Sequence, residues 1–124
     1  MADPARVLVV DDDQVIRRLL AEALGDEGYE VAEAGDGMEA LAALRASPAD
    51  LIVLDLMMPG MDGWAFRAAQ CRDPSLANIP VVVLSATRDV ETQARPLQPA
   101  AVFAKPFDLD ELLSTIRGLL APAC

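Results

Sequence analysis

The chain has 124 residues, of which 53% are hydrophobic, and this size and composition are typical of one folded domain rather than of a disordered chain. Its net charge of −10 comes from 20 acidic and 10 basic residues, and Arg17-Arg18 is its one pair of adjacent basic residues. Without a concentrated positive face, direct binding to nucleic acid is disfavoured. The absence of histidine excludes histidine catalysis, histidine metal ligands and a phosphohistidine relay within the chain.

No apolar run approaches the roughly 20 residues that cross a bilayer, so we expect no contact with the membrane interior. Residues 1–6 form no charged-then-apolar leader, which predicts a cytoplasmic protein. Cys71 and Cys124 lack metal-ligand spacing, and we interpret them as an incidental thiol and an exposed tail thiol. No linker or internal repeat interrupts the pattern, so residues 1–124 are predicted to form a single domain.

Short apolar runs alternate with segments of helical periodicity along the chain. The predicted strands are 6–10, 29–34, 51–54, 81–84 and 101–104. The predicted helices are 15–24, 36–45, 64–70, 89–95 and a last one opened by Asp108, with the fourth cut short by Pro96 and Pro99. Strict alternation of this kind predicts a parallel sheet with helices on both faces, and the alternating polarity of 29–34 indicates an edge strand.

The ends of the predicted helices carry their own signals. Asp13 is predicted to be the N-cap of the first helix. Asp36 with Glu39, and Asp108 with Glu111, have the spacing of capping boxes. In the first helix, the apolar positions 15, 16, 19, 20, 23 and 24 predict one buried stripe.

Four of the predicted strands lead into polar residues of different chemical kinds. In chain order these residues are Asp11-Asp12-Asp13, Asp55, Ser85 and Lys105. Ligands of doubly wound sheets bind outside the carboxyl ends of the strands, so we expect these side chains to meet at one edge. A carboxylate cluster with a hydroxyl and an ammonium is suited to binding a divalent cation and a phosphoryl group together.

The carboxylates of Asp11, Asp12 and Asp55 favour a metal site. Neighbouring carboxylates repel one another, and a bound cation removes that cost. Hard oxygen ligands suit Mg²⁺, which often bridges a few carboxylates to a phosphate. Beside a metal and a cation, Asp55 is a candidate nucleophile that forms an acyl phosphate. The alternatives are a solvated acidic turn for Asp11-Asp12-Asp13 and a simple strand terminator for Asp55.

Lys105 and Ser85 are candidate ligands for phosphoryl oxygens. The ammonium of Lys105, set among apolar neighbours at a strand end, would neutralise their charge. The hydroxyl of Ser85 would donate a hydrogen bond to the same oxygens. Taken alone, Lys105 is also readable as an exposed lysine and Ser85 as a cap or turn residue; their joint occurrence with the carboxylates is more specific.

These motifs resemble those of response-regulator receiver domains of bacterial two-component signalling. The matching segments are VVDDD at 9–13, LDLMMPGMDG at 54–63, LSA at 84–86 and KPF at 105–107, so the likeness covers essentially the whole chain. The resemblance implies a flavodoxin-like fold, a doubly wound five-stranded parallel sheet in the order 2-1-3-4-5 with helices on both faces. It also implies a stand-alone phospho-acceptor, not an enzyme, that relays its signal by contact with another protein.

The resemblance also assigns roles to residues. Asp55 would accept a phosphoryl group from a sensor histidine kinase or a phosphotransfer protein. Asp11 and Asp12 would hold Mg²⁺ together with Asp55 and the backbone carbonyl of Met57. Ser85 would move to meet the phosphoryl group, and Lys105 would pair with it.

Two features depart from the family pattern. The family usually places an aromatic residue three positions before the lysine, and this chain has Val102 there. The stretch from Ser85 to Lys105 is about two residues short, which predicts a short or irregular fourth helix. We therefore expect the signal to be carried by rearrangement around residues 85–87. Met57 has no group that orients water beside the acceptor, which predicts slow self-dephosphorylation.

The strongest alternative is an enzyme. Residues 7–15 also fit the first motif of haloacid-dehalogenase-like phosphatases, with Asp11 as nucleophile and Ser85 and Lys105 in the later motifs. That interpretation leaves Asp55 without a role and lacks a later strand with the final acidic pair. A second alternative is a receiver that only binds partners, and the presence of every expected side chain disfavours it. The sequence leaves open whether the chain is a fragment of a longer regulator.

Overall fold

The computed structural model describes residues 4–121. Residues 1–3 and Cys124, which bear on the predictions of a missing leader and a tail thiol, lie outside this range. The strands are β1 (Arg6–Val10), β2 (Glu30–Ala34), β3 (Leu51–Asp55), β4 (Val81–Ser85) and β5 (Ala101–Ala104). The helices are α1 (Gln14–Asp26), α2 (Gly37–Ala46), α3 (Gly63–Arg72), α4 (Val90–Ala94), a 3₁₀ turn (Arg95–Leu97) and α5 (Leu109–Leu120).

All neighbouring strands pair in parallel, in the order β2-β1-β3-β4-β5. This confirms the predicted doubly wound sheet and places β2 at an edge. The strand ends lie at one level, since Val10 pairs with Leu54 in β3 and Asp55 pairs with Leu84 in β4. Within the described residues, no helix is long and apolar enough to cross a bilayer.

The core consists of two layers, one on each face of the sheet. Helices α1 and α5 cover one face, and α2, α3 and α4 cover the other. Every residue of β3 and β4 is buried, as expected for central strands whose both faces are covered by crossover helices. The two central strands therefore carry their terminal residues, Asp55 and Ser85, into partly enclosed positions.

Aspartate side chains cap four of the helices. Asp13 accepts hydrogen bonds from the backbone N–H groups of Val15 and Ile16, which confirms its predicted role. Asp36 and Asp108 accept the predicted bonds at α2 and α5. Asp62 caps α3 by accepting from the N–H of Ala65, a role that the sequence reading did not assign. Each such cap satisfies donors that the helix itself leaves free.

The predicted buried stripe of α1 is wrong at two positions. Val15 is 78% exposed and Leu19 is 50% exposed, whereas Leu20 and Leu24 are buried against the sheet. Successive helical residues are about 100° apart around the axis. The sheet covers only the line through Leu20 and Leu24, so Val15 and Leu19 face outward.

Helix α4 is short and irregular, as predicted. It has five residues and passes directly into the 3₁₀ turn that contains Pro96. Asp89 before it and Gln98 after the turn both have positive φ, at 55° and 51°. Left-handed conformations are costly for residues other than glycine, so this segment depends on its neighbours for support.

Candidate functional site

The predicted site residues meet at the carboxyl edge of the sheet. Asp11 directly follows β1, Asp55 ends β3, Ser85 ends β4 and Lys105 directly follows β5. The backbone N–H of Lys105 donates to the carbonyl of Ser85 at 2.9 Å, which extends the parallel ladder to this level. The peptide bond between Lys105 and Pro106 is cis.

Three carboxylates form a compact acidic cluster at this edge of the sheet. Asp11, Asp12 and Asp55 each offer one oxygen, and these oxygens lie within 4.8 Å of one another. Asp11 and Asp55 are buried, whereas Asp12 is exposed. Asp13 points away to cap α1. Within the acidic run, Asp11 and Asp12 are therefore candidate metal ligands, whereas Asp13 caps a helix.

Lys105 reaches across the edge to two of these carboxylates. Its Nζ donates to Asp11 Oδ2 at 2.7 Å and lies 3.5 Å from Asp55 Oδ2. The side chain is mostly buried, so the alternative of an ordinary exposed lysine is wrong. Burial by itself lowers the pKa of Lys105, but the hydrogen bond to Asp11 and the charges of Asp55 and Asp11 outweigh it and raise that pKa. Lys105 is thus held as a cation.

The carboxylate of Asp55 is in an environment that disfavours its charge. Burial and the negative charge of Asp11 raise the pKa of Asp55 from 3.8 to about 6. The ammonium of Lys105 and the N–H of Met57, which donates to Asp55 Oδ1 at 3.3 Å, act in the opposite direction. One lysine does not balance three carboxylates, and a bound cation would favour the ionised form of Asp55.

The donor set fits a hard divalent cation. Carboxylate oxygens are its preferred ligands, and the described cluster supplies three of them around one point. Asp12 faces solvent, which leaves open coordination positions for water or a phosphate. Burial and the repulsion from Asp11 raise the pKa of Asp55, and such a cation would remove the cost of the repulsion.

Ser85 is buried, but its contacts point to the loop that follows it. Its Oγ donates to Thr87 Oγ1 at 2.9 Å and accepts from the backbone N–H of Thr87 at 3.2 Å. The turn-residue alternative thus describes its contacts, while its predicted movement toward a phosphoryl group stays a prediction. Val102 is half-buried and packs against the core layer of α4.

Two residues that the sequence reading did not single out also shape the site. Arg17 Nη1 donates to the backbone carbonyl of Asp11 at 2.8 Å. A Cβ at Gly63 would lie 2.8 Å from the carbonyl oxygen of Asp55, so α3 packs directly against the end of β3. The available signals were a basic residue one turn beyond the acidic run and a glycine directly after Asp62.

Fold and site together define a class: a doubly wound parallel sheet with an acidic cluster and a buried lysine at its carboxyl edge. The model of the response regulator receiver domain family matches residues 7–117. The DNA-binding dual master transcriptional regulator RpaA of Synechocystis is 37% identical over 93% of this chain and 48% of its own length. The chain thus spans about half the length of the curated relatives it matches.

Solved structures give the same result over nearly their full lengths. The chemotaxis response regulator CheY4 of Vibrio cholerae is 34% identical, with a TM-score of 0.86 and coverage of 94% of this chain and 99% of that one. The response regulator TrrA of Thermotoga maritima, solved with Mg²⁺ and BeF, is 33% identical, with a TM-score of 0.82 and the same coverage.

The chain belongs to the response regulator receiver domain family, as its motifs predicted. Receiver domains of two-component systems accept phosphoryl groups from histidine kinases and are signalling domains rather than classical enzymes. The phosphatase alternative, with Asp11 as nucleophile, finds no support in these comparisons. Asp11 is instead bonded to Lys105 and to the N–H of Asp13.

Proposed function

We propose that Asp55 accepts a phosphoryl group from the phosphohistidine of a sensor histidine kinase or a phosphotransfer protein, in a reaction that requires Mg²⁺. One observation carries this assignment: the buried carboxylate of Asp55 lies in the acidic cluster and 3.5 Å from the ammonium of Lys105. Asp11 lies in the same cluster, but both of its carboxylate oxygens already accept hydrogen bonds, from the N–H of Asp13 and from Lys105.

The transfer forms one bond and breaks another. A carboxylate oxygen of Asp55 attacks the phosphorus, and the bond between phosphorus and the donor histidine nitrogen breaks. The released imidazole nitrogen keeps the bonding electron pair. The product is an acyl phosphate on Asp55, which water later hydrolyses to inorganic phosphate and the free carboxylate.

Asp11, Asp12, Asp55 and the backbone carbonyl of Met57 would hold Mg²⁺. When bound, this ion supplies positive charge that offsets the charge developing on the phosphoryl oxygens. The magnesium complex of TrrA, a family member with the same fold, supports this choice of ion. A bound ion would also counter the repulsion among the carboxylates and so would favour the ionised carboxylate of Asp55 that attacks the phosphorus.

Lys105 and Ser85 would bind the transferred group. Lys105 lies close enough to Asp55 to pair with a phosphoryl oxygen once its bond to Asp11 loosens. Ser85 would give up its bond to Thr87 and donate to a second oxygen. This exchange would pull on residues 85–87 and carry the signal into α4. Val102 has no aromatic ring that could change position in response to this rearrangement.

In this proposal residues 1–124 act as a single cytoplasmic receiver domain. It has no catalytic activity beyond its own phosphorylation and dephosphorylation. Its output is contact with another protein rather than with nucleic acid or a membrane. The net charge of −10 supports a protein partner over a nucleic acid.

Labelling with a small acyl-phosphate donor tests the assignment. Wild-type protein should gain one phosphoryl group with Mg²⁺ and none with a chelator. Borohydride reduction of the acyl phosphate followed by mass spectrometry should place it at position 55. Asp55→Asn should abolish labelling, whereas Asp11→Asn should slow it but leave it at Asp55. A label on Asp11 would overturn the proposal in favour of phosphatase-like chemistry.

A further inference from the structure

We propose that Arg17 is a positioning residue of the acidic loop, residues 11–13. Its guanidinium holds the backbone of Asp11 so that the carboxylates stay in place for a divalent cation. The identity of that cation depends on the function proposed above. The positioning of the loop by Arg17 does not.

Asp11 is held at every polar group that it has. Its N–H donates to the carbonyl of Ala34 in β2 at 3.1 Å. Its Oδ1 accepts from the N–H of Asp13, and its Oδ2 accepts from Lys105. The carbonyl oxygen accepts from Arg17 Nη1 at 2.8 Å. Among residues 4–121, Arg17 is therefore the one side chain of α1 that hydrogen-bonds to the main chain of the loop.

Arg17 is itself held in place. Its Nε donates to Glu33 Oε1 on β2 at 3.1 Å, and its side chain is only 18% exposed. A Cβ at Gly35 would lie 3.4 Å from Arg17 Nη1 and 3.2 Å from Glu39 Oε2, so the glycine provides the space for these groups. The planar guanidinium of Arg17 donates from Nε to Glu33 and from Nη1 to the carbonyl of Asp11, so it links the edge strand β2 to the acidic loop in a fixed geometry.

The charge of Arg17 acts in the same direction as its geometry. The loop carries three consecutive carboxylates, which repel one another and push the loop open. A cation on the backbone side opposes that repulsion without occupying the ligand oxygens. Groups that orient metal ligands in this way typically change metal affinity 10–100-fold when removed.

The adjacent arginine provides a matched control. Arg18 pairs with the same Glu33, at 3.6 Å, but its side chain is 65% exposed. None of its described hydrogen bonds or ion pairs reaches the acidic loop. Arg17→Gln and Arg18→Gln therefore remove the same charge from the same helix turn, and only the first removes the contact with Asp11.

Two measurements on the full chain test the inference. The first is Mg²⁺ affinity, measured by calorimetric titration. Arg17→Gln should weaken it about 10-fold, whereas Arg18→Gln should leave it within about two-fold of wild type. Arg17→Lys keeps the charge but loses the two-pronged contact, so it should resemble Arg17→Gln. Wild-type affinity in Arg17→Lys, or equal losses in both glutamine variants, would overturn positioning in favour of charge alone.

The second measurement is amide exchange in metal-free protein. The Asp13 N–H, which is bonded to Asp11 Oδ1, should exchange faster in Arg17→Gln and Arg17→Lys than in wild type and Arg18→Gln. Unchanged exchange in α5 would show that the variants are folded. Equal exchange at Asp13 in all four proteins would overturn the inference even if Mg²⁺ binds. A wild type that binds no Mg²⁺ would instead count against the proposed function.

Discussion

Asp55 is a side chain that is unfavourable for the fold and useful for the proposed reaction. It is buried beside the carboxylate of Asp11, and both effects oppose its ionisation. Lys105 compensates only in part, because its shorter contact is with Asp11, at 2.7 Å, rather than with Asp55, at 3.5 Å. A bound cation would offset the charge of Asp55, and transfer of a phosphoryl group would convert its carboxylate to an acyl phosphate. Both depend on a carboxylate charge that Lys105 offsets only in part.

The raised pKa of Asp55 predicts a pH-dependent stability in metal-free protein. The folded-state pKa of about 6 lies above the unfolded value of 3.8, so the folded state binds the proton more tightly. The stabilisation is fully present below the unfolded pKa and is lost as the pH rises through about 6. Asp55→Asn removes the charge, so it should stabilise the protein at about pH 8 and give less gain at about pH 5.

Urea unfolding in the presence of a chelator measures this difference. The wild type and Asp55→Asn should have well-separated midpoints at the higher pH, and the separation should shrink at the lower pH. A separation that does not vary with pH would show that the ionisation of Asp55 is not its source.

Met57 predicts a long-lived phosphorylated form. Its side chain is 58% exposed, two residues after the proposed acceptor Asp55, and offers no strong hydrogen-bonding group to a water molecule. Met57→Gln should speed hydrolysis of the acyl phosphate, because an amide can orient water. Met38→Gln is the control, since Met38 is 62% exposed on α2 and undergoes the same chemical change. Rapid loss of phosphate from the purified wild type would contradict the prediction.

Helix α3 packs directly against the end of β3, and the absence of a side chain at Gly63 permits this close approach. The N–H of Gly63 donates to the carbonyl of Leu56 at 3.0 Å. A Cβ at this position would lie 2.8 Å from both Asp55 O and Leu56 Cα, which are backbone atoms that cannot turn away. The close packing of α3 therefore leaves no room for a side chain between its first residue and the backbone of Asp55.

Gly63→Ala should destabilise the protein by about 1–3 kcal/mol and slow labelling of Asp55. Gly118→Ala is the matched control, because Gly118 lies inside α5 with nothing within 4 Å of its added Cβ. That variant should gain about 0.5–1 kcal/mol from helix propensity alone. Denaturant unfolding compares the two, and similar shifts in both would refute the close approach as the cause.

Two side chains of α3 donate hydrogen bonds to α4 and to the 3₁₀ turn that follows it. Trp64 Nε1 donates to the carbonyl of Gln93, and Arg67 Nε donates to the carbonyl of Leu97, each at 3.0 Å. These carbonyls lie near the carboxyl ends of α4 and of the 3₁₀ turn. A rearrangement that begins at Ser85 would thus reach α3 through Trp64.

A phosphoryl mimic such as beryllofluoride with Mg²⁺ should change amide exchange across residues 85–100. Ser85 is expected to leave Thr87 for the mimic, which loosens the start of α4. The fluorescence of Trp64, the only tryptophan of the chain, should change with it. Unaltered amide exchange in residues 85–100 would contradict a signal carried by this segment. Asp55→Asn is the control, because it should not bind the mimic.

The basic groups of the molecule are outnumbered by its acidic groups, 10 to 20. Arg6, Arg17, Arg18 and Arg117 are each paired with a glutamate, Lys105 is turned into the site, and the other five arginines are separated from one another along the sequence. RpaA, a relative described as DNA-binding, is about twice the length of the matching region. A receiver domain of this charge is therefore better suited to protein contacts than to a DNA backbone.

We expect the purified chain to leave duplex DNA unshifted in a gel at about 0.05 M salt, where electrostatic binding is strongest. Phosphorylation adds negative charge and should not alter this result. A shift that weakens steeply with added salt would contradict the expectation, since that dependence marks contacts with phosphates.

Much of this architecture is predictable from short-range patterns in the chain. Apolar runs, helical periodicity and aspartate caps depend on neighbouring residues, so the five strands, the short α4 and the caps at Asp13, Asp36 and Asp108 followed from them. Because parallel strands end at one edge, the same patterns also indicated which residues would share the site.

Folding in three dimensions decided the rest, because those features depend on segments far apart in the chain. The bond from Lys105 to Asp11 joins residues 94 positions apart, and no local pattern specifies which carboxylate the lysine approaches more closely. The exposure of Val15 depends on how much of α1 the sheet covers. The contact of Arg17 with the Asp11 carbonyl and the approach of Gly63 to Asp55 depend likewise on how helices are seated on strands.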